Sequence, residues 1–175
     1  MPPAQFSLLP AKKKDAAVLA ALHTAVANHL TDKHGRGPWS AATSEKAVLF
    51  GMRMSRVYVA LLDGEIVGTL RLTTRKPWAI DKKYFSPCKR PLYLLAIAIT
   101  PAKQRQGIGR WCLEEAKRLA RLWPADGIFL DAYDAKAGAG GFYARCGWAE
   151  TGRISYRGAP LIYYEMLLNK DKAMV

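Results

Sequence analysis

Apolar residues recur at Val18, Leu19, Leu22, Val26 and Leu30, which fall on one stripe of a 3.6-residue helix. That spacing predicts a helix over residues 15–30. Residues 31–40, TDKHGRGPWS, are punctuated by glycine and proline and read as a loop. Ser44 is a natural N-cap for a second, short helix. Residues 56–62 and 65–73 read as two strands, and Asp63-Gly64 between them is a hairpin turn that needs positive φ. Residues 74–91 are irregular, with Trp78, Tyr84 and Phe85 among prolines; an insertion of that length between strands often carries function. The run LYLLAIAI, residues 92–99, predicts a strand buried on both faces in the middle of a sheet. Thr100-Pro101 ends it, and a glycine-bearing turn leads into a helix over 107–122. Ile108, Cys112, Ala116, Leu119, Ala120 and Trp123 line one face of that helix, and Arg110, Glu114, Lys117, Arg118 and Arg121 lie largely on the other. A strand over 127–133, a short helix over 138–145 stopped by a left-handed Gly147, and a strand pair at 148–156 and 161–168 complete the chain. The expected fold class is α/β (α+β) with a mixed central sheet, because a helical crossover excludes an all-antiparallel one.

Composition narrows the class. With 175 residues, half of them apolar, and neither repeat nor low-complexity linker, the expectation is one domain over 1–175 with a full core. No stretch approaches the roughly 20 apolar residues of a membrane span. The N-terminus has its short apolar patch before its lysines, the reverse of a signal peptide, so a cytoplasmic location is expected. Cys88, Cys112 and Cys146 are odd in number and widely spaced, which argues against a disulfide framework. His23, His29 and His34 lack the i, i+4 spacing of a helical metal pair and read as surface or loop residues, so no metal is expected. The net charge of +13 predicts attraction to anions. Nucleic acid and a phosphorylated cofactor both qualify. The basic residues are scattered, without the interleaved aromatics of a single-strand binder, which speaks against nucleic acid.

The chemistry concentrates where the apolar strand meets the helix. Ile97, Ala98 and Ile99 lead through Thr100-Pro101 to Gln104, Arg105, Gln106, Gly107, Ile108, Gly109 and Arg110. The first N–H groups of a helix lack internal partners and point outward with the positive end of its dipole, which suits phosphate. Gly107 and Gly109 let an anion approach the backbone, and Arg105 and Arg110 add charge. A Walker A loop needs Lys and Ser/Thr after its second glycine, where this chain has Arg110 and Trp111. A dinucleotide fingerprint needs a small third residue, where this chain has Cys112, and here the turn lies mid-chain after a hairpin.

Two motifs together resemble the GNAT superfamily of N-acetyltransferases. Gln104-x-x-Gly107-x-Gly109 is similar to its Q/R-x-x-G-x-G/A acyl-CoA signature. Ala139-Gly140-Gly141-Phe142-Tyr143-Ala144-Arg145-Cys146-Gly147-Trp148 is similar to its A-x-x-F-Y-x-x-x-G-F segment. The chain departs from the pattern at Lys136, where the family often has Asn, and at Trp148, where it has Phe. The resemblance implies a GNAT-like, mostly antiparallel central sheet with a splayed parallel strand pair, flanked by helices. It also implies direct transfer of an acetyl group from acetyl-CoA to a primary amine of a small molecule or peptide, by a monomer or homodimer. The backbone of Ile97, Ala98 and Ile99 would pair with the pantetheine arm, and an N–H near Ala98 or Ile99 would polarise the thioester carbonyl. The amides of residues 104–110 would hold the pyrophosphate, and Tyr143 would protonate the leaving thiolate. Asp131, Asp134 and Glu65 are the candidate bases, with no assignment among them. Cys146 has no histidine nearby in sequence and reads as a buried apolar residue. Two rival readings are a non-catalytic acyl-CoA sensor and a basic RNA- or ribosome-associated protein.

Overall fold

The computed structural model of the chain describes residues 5–168. In chain order it contains β1 (Phe6–Pro10), α1 (Ala16–His34), α2 (Glu45–Met54), β2 (Arg56–Leu62), β3 (Glu65–Thr73), β4 (Pro91–Ile99), α3 (Ile108–Leu122), β5 (Gly127–Tyr133), α4 (Gly140–Arg145), β6 (Ala149–Tyr156) and β7 (Ala159–Leu167). The strands form one mixed sheet of seven in the order β1-β2-β3-β4-β5-β7-β6. It is mostly antiparallel, with one parallel pair, β4 and β5. The register of that pair covers only Pro91↔Gly127, Leu92↔Ile128 and Tyr93↔Phe129. The chain divides into two compact units, with the division falling inside β4 and inside α3. One unit runs up to Thr73 and includes Leu95–Leu113; the other holds Thr74–Leu94 and the chain from Glu114 onward.

In the first unit, Ala16, Leu19 and Ala20 of α1 pack on Val48 of α2 and on Val57 and Val59 of β2. The small alanines let the helix lie close to the sheet. Val18, expected on the buried stripe, is 49% exposed; Ala16, Ala20 and Ala27 take that role instead. α1 also outlasts its expected end at residue 30. Residues 31–34 contain no helix breaker, and the Thr31 hydroxyl donates to the Ala27 carbonyl at 2.7 Å. Gly35, at φ 80°, ends the helix. Ser44 caps α2 by accepting the Ala47 N–H at 3.1 Å. Asp63 and Gly64 both have positive φ, 51° and 88°, so the tight β2–β3 hairpin forms as its sequence requires. β1 has no counterpart among the sequence expectations. It buries only Leu8 and ends on a proline, which a sheet edge tolerates.

The expectation of a doubly buried β4 holds for its first half only. Leu92, Tyr93 and Leu94 are buried, but Ala96 is exposed and left-handed at φ 50°, and Ile97 and Ile99 are half-buried. A left-handed alanine kinks the strand and breaks its alternation. Gly68 of β3 admits the strand beyond the kink. A Cβ on Gly68 would lie 2.6 Å from Ile99 Cδ1 and 3.0 Å from the Ala98 carbonyl oxygen.

In the second unit, Ile80, Phe85, Tyr93, Phe129 and Tyr163 form the core. Phe85 stacks on Phe129 at 4.4 Å. The insertion between β3 and β4 is held down through polar contacts: Ser86 donates its N–H and hydroxyl to Glu165 at 2.9 and 2.6 Å. Its aromatics therefore separate. Phe85 is core, Tyr84 packs against Gly152, and Trp78 is 86% exposed. The last hairpin is tighter than expected. Arg157 and Gly158, both at positive φ, form a two-residue turn, and β7 starts at Ala159.

Replacing Gly68 by Val would force the first unit's strands apart. The variant is expected to lose about 1–3 kcal/mol of stability, as overpacking does, measured as a lower urea midpoint; an unchanged midpoint would show that the β3–β4 approach is not sterically tight.

Candidate active site

β4 ends at Ile99, and the Thr100 N–H donates to the Val67 carbonyl at 2.8 Å, fastening the strand end to β3. A 3-10 turn, Pro101–Lys103, follows. Gln104 is extended, and its side-chain amide donates back to the Ile99 carbonyl at 3.0 Å. Gln104 thus holds the turn against the strand. Arg105 and Gly107 are both left-handed, at φ 62° and 84°. Arg105, Gln106 and Gly107 are exposed, while Ile108 is buried and anchors the start of α3. At the helix start the Trp111 N–H donates to the Gly107 carbonyl at 3.0 Å. The N–H groups of Ile108, Gly109 and Arg110 precede any acceptor of their own helix. Alternating left-handed residues before a helix start make a concave row of amides, a shape that binds anions. The space beside Gly107 is open, with nothing within 4 Å of where its Cβ would be. The predicted residues Ile97, Ala98, Ile99, Gln104, Arg105, Gln106, Gly107, Ile108, Gly109 and Arg110 are therefore gathered at one junction of the first unit.

Tyr143 belongs to the second unit. It sits on α4, 5% exposed, with its ring 5.9 Å from that of Trp148 and 5.6 Å from that of Tyr164. Burial, then the nearby Asp131 and Cys146, raise its phenol far above the ordinary range. At neutral pH it is a proton donor only. The three candidate carboxylates are now distinguishable. Glu65 is exposed on the hairpin. Asp134 pairs with Arg153 at 3.1 Å. Asp131, on β5, is shifted upward by burial and has no ion-pair partner among the described residues.

The sequence family described as the acetyltransferase (GNAT) family matches residues 23–148, well over half of the chain. The chain belongs to the GNAT acetyltransferase family. No curated protein matches its sequence. Solved structures share the fold at low identity. An acetyltransferase of the GNAT family from Listeria monocytogenes superposes with a TM-score of 0.72 at 17% identity, covering 93% of this chain and 95% of its own. The ribosomal-protein-alanine N-acetyltransferase of Brucella melitensis gives 0.70 at 16%, covering 93% and 99%. The yncA protein of Salmonella typhimurium, solved with its cofactor acetyl-CoA, gives 0.68 at 16%, covering 96% of each chain. Among the described residues of this GNAT chain no three His, Cys, Asp or Glu side chains gather as a metal site, and no helix is long and apolar enough to cross a membrane.

The GNAT chain also has a cavity in its first unit that its sequence does not announce. Its volume is about 160 Å³. Leu19 and His23 of α1, Val48 and Gly51 of α2, Arg71 of β3 and Ala96 of β4 stand around it. The histidines all lie on α1 and not in a loop; His29 is exposed, as a surface residue should be, but His23 departs from the expected surface setting and is half-buried in this wall. Burial, then the charge of Arg71, lowers the His23 pKa from its ordinary value, so its imidazole is neutral at pH 7. Burial likewise lowers the pKa of Arg71. The signal available in the sequence was the one charged residue in TLRLT, residues 69–73, an arginine flanked by Leu70 and Leu72.

A histidine held neutral in the native state takes up its proton more readily once unfolded. Its contribution to stability is complete above the ordinary histidine pKa of about 6.5 and is lost as pH falls through the lower native value. Stability is therefore expected to decline from pH 7 to pH 5, and His23→Gln to flatten that decline, measured by urea unfolding at each pH. The same slope in both proteins would mean that His23 is solvated in the native state.

Proposed function

We propose that this GNAT chain is an N-acetyltransferase that moves an acetyl group directly from acetyl-CoA to a primary amine of a small molecule or peptide. The observation that carries the reading is the pair of left-handed residues, Arg105 and Gly107, in the turn that opens α3, directly after a kinked β4. The motif resemblance in the same residues and membership of the family support it. The bound acetyl-CoA of the yncA protein shows which ligand a relative of this fold holds.

In this reading the amides of residues 104–110 hold the pyrophosphate, and Arg105 and Arg110 add charge to it. Ile97, Ala98 and Ile99 offer their main chain to the pantetheine arm, as a strand edge does to an added strand. Pairing of β4 with β5 ends at Tyr93, before these residues, which leaves such an edge for a ligand to use. An N–H near Ala98 or Ile99 polarises the thioester carbonyl. The amine nitrogen bonds to the carbonyl carbon, the carbon–sulfur bond breaks, and Tyr143 gives its proton to the departing sulfur. The amine proton leaves to a base or to water. Burial keeps the phenol of Tyr143 protonated at neutral pH, the state a general acid needs before it gives up its proton.

Acetyl-CoA is expected to raise the melting temperature where NAD and ATP do not, and thiol release is expected with at least one amine of a broad panel. A shift without any thiol release would leave a sensor; no shift with any acyl-CoA would sink the reading. Gly107→Val meets no neighbour but must hold positive φ, a strain of about 1–2 kcal/mol. It is expected to stay folded and to lose the acetyl-CoA shift. Tyr143→Phe is expected to lower kcat about 100-fold, within the usual range for a general acid, while the cofactor Kd stays within threefold (about 0.7 kcal/mol). Unchanged turnover would remove Tyr143 from the acid role.

A further inference from the structure

Arg71 is a cation in the cavity wall with no anion to meet it among the described residues. Its Nε donates to the Ser55 hydroxyl at 2.9 Å, and that hydroxyl donates to the Gly51 carbonyl at 2.6 Å, so one edge of the guanidinium is tied to the end of α2. The guanidinium lies against the helix backbone itself: a Cβ on Gly51 would be 3.1 Å from its Cζ. No aspartate or glutamate lines the cavity, and no ion pair among the described residues includes Arg71. A half-buried guanidinium carries a desolvation cost that a carboxylate partner would offset. Here the fork is oriented by Ser55, and its two Nη groups, which meet no acceptor among the described residues, remain for a ligand.

We propose that this cavity receives the acceptor, and that Arg71 binds the carboxylate of a small amino acid whose amine is acetylated. The inference rests on the function proposed above and names the substrate class for it. Three features select this ligand. The charge is a single positive one, since the neighbouring imidazole is neutral at pH 7, and so matches a monoanion better than a doubly charged phosphate. The volume, about 160 Å³, is close to that of a cavity that takes benzene, about six heavy atoms, which fits a free amino acid and not a folded segment of another protein. Ala96 is part of the wall, and the next residue, Ile97, begins the strand edge assigned to the pantetheine arm. A carboxylate held on Arg71 therefore leaves the amine of the same small molecule on the β4 side of the cavity. The apolar wall of Leu19, Val48 and Val57 gives the rest of the molecule an apolar surface.

Calorimetric titration of the full chain, with coenzyme A present, tests this with the standard amino acids, each against its own carboxamide. At least one amino acid is expected to bind at least about tenfold more tightly than its amide, because a charge-assisted pair is lost in the amide. Arg71→Gln is expected to erase that discrimination, and Arg71→Lys, which keeps the charge and loses the fork, to keep only part of it. Should Arg71→Gln fail to fold, Gly51→Ala serves instead: it favours the helix but pushes on the guanidinium, and is expected to weaken amino-acid binding without lowering the melting temperature. Equal binding of acids and amides, discrimination that survives Arg71→Gln or Gly51→Ala, or no binding of any amino acid would each overturn the proposal. The acetyl-CoA melting shift is read separately. If it is present while amino acids fail to bind, the acceptor assignment alone falls; if it is absent while acids still bind through Arg71, the transferase reading falls and the carboxylate site stands.

Discussion

The left-handed kink at Ala96 is the constraint on which the candidate site depends. An alanine at φ 50° costs about 1–2 kcal/mol relative to ordinary strand geometry. It persists because both sides of it are clamped. Before it, Leu92, Tyr93 and Leu94 are buried; after it, Ala98 and Ile99 lie against Gly68, and Thr100 is tied to Val67. The kink converts an apolar strand with no free surface into one whose last residues have an exposed side. It also places Ala96 itself in the wall of the cavity. Strain held by its surroundings clusters at functional sites, and here the strained residue adjoins both the cradle and the cavity.

Much of this was legible in the residues. Asp63-Gly64 declared its hairpin because only positive φ closes a two-residue turn, and Ser44 declared its cap because its hydroxyl is the natural acceptor for a free helix N–H. The strand-turn-helix junction followed from the apolar run and the glycines. The misreadings have physical causes. Val18 looked like core because periodicity weighs it as a large apolar residue, whereas the close approach of α1 favours alanine. β1 was silent because five residues with one buried side chain leave no periodic signal. The Ala96 kink was silent because alanine has no preference for the left-handed region; the neighbours that enforce it are distant in sequence. The aromatics of residues 74–90 were ambiguous because burial alone separates core Phe85 from exposed Trp78.

Charge behaves in the same way. A net charge of +13 indicates an affinity for anions without naming one. The structure sorts the charges by whether they are matched. Arg90 with Asp126, Arg118 with Glu115, and Arg153 with both Asp134 and Glu150 are surface pairs, each of little energetic weight. Arg71 in the first unit and Asp131 in the second are the informative ones. Each is desolvated without an opposite charge among the described residues, each has its pKa moved by burial first, and each therefore carries a cost to the stability of the fold. Perturbed, unmatched charges of that kind concentrate where proteins bind or react.

The two halves of the proposed reaction are recognised by different physics, and this explains why one was readable and the other was not. In the proposed reaction the cradle would bind through main-chain N–H groups, so its specification reduces to backbone conformation, and backbone conformation leaves a trace in glycine spacing. The cavity would bind through one side chain whose meaning is relational. In the proposal Arg71 serves as a receptor because Ser55 orients it, Gly51 lets it approach α2, and no carboxylate among the described residues pairs with it. None of those facts is a motif. A fold that reads its cofactor through backbone and its acceptor through isolated side chains can keep the first constant while the second changes by single substitutions. Family membership therefore constrains the cofactor far more tightly than the amine, and the acceptor of this chain has to be sought in its own unmatched charge.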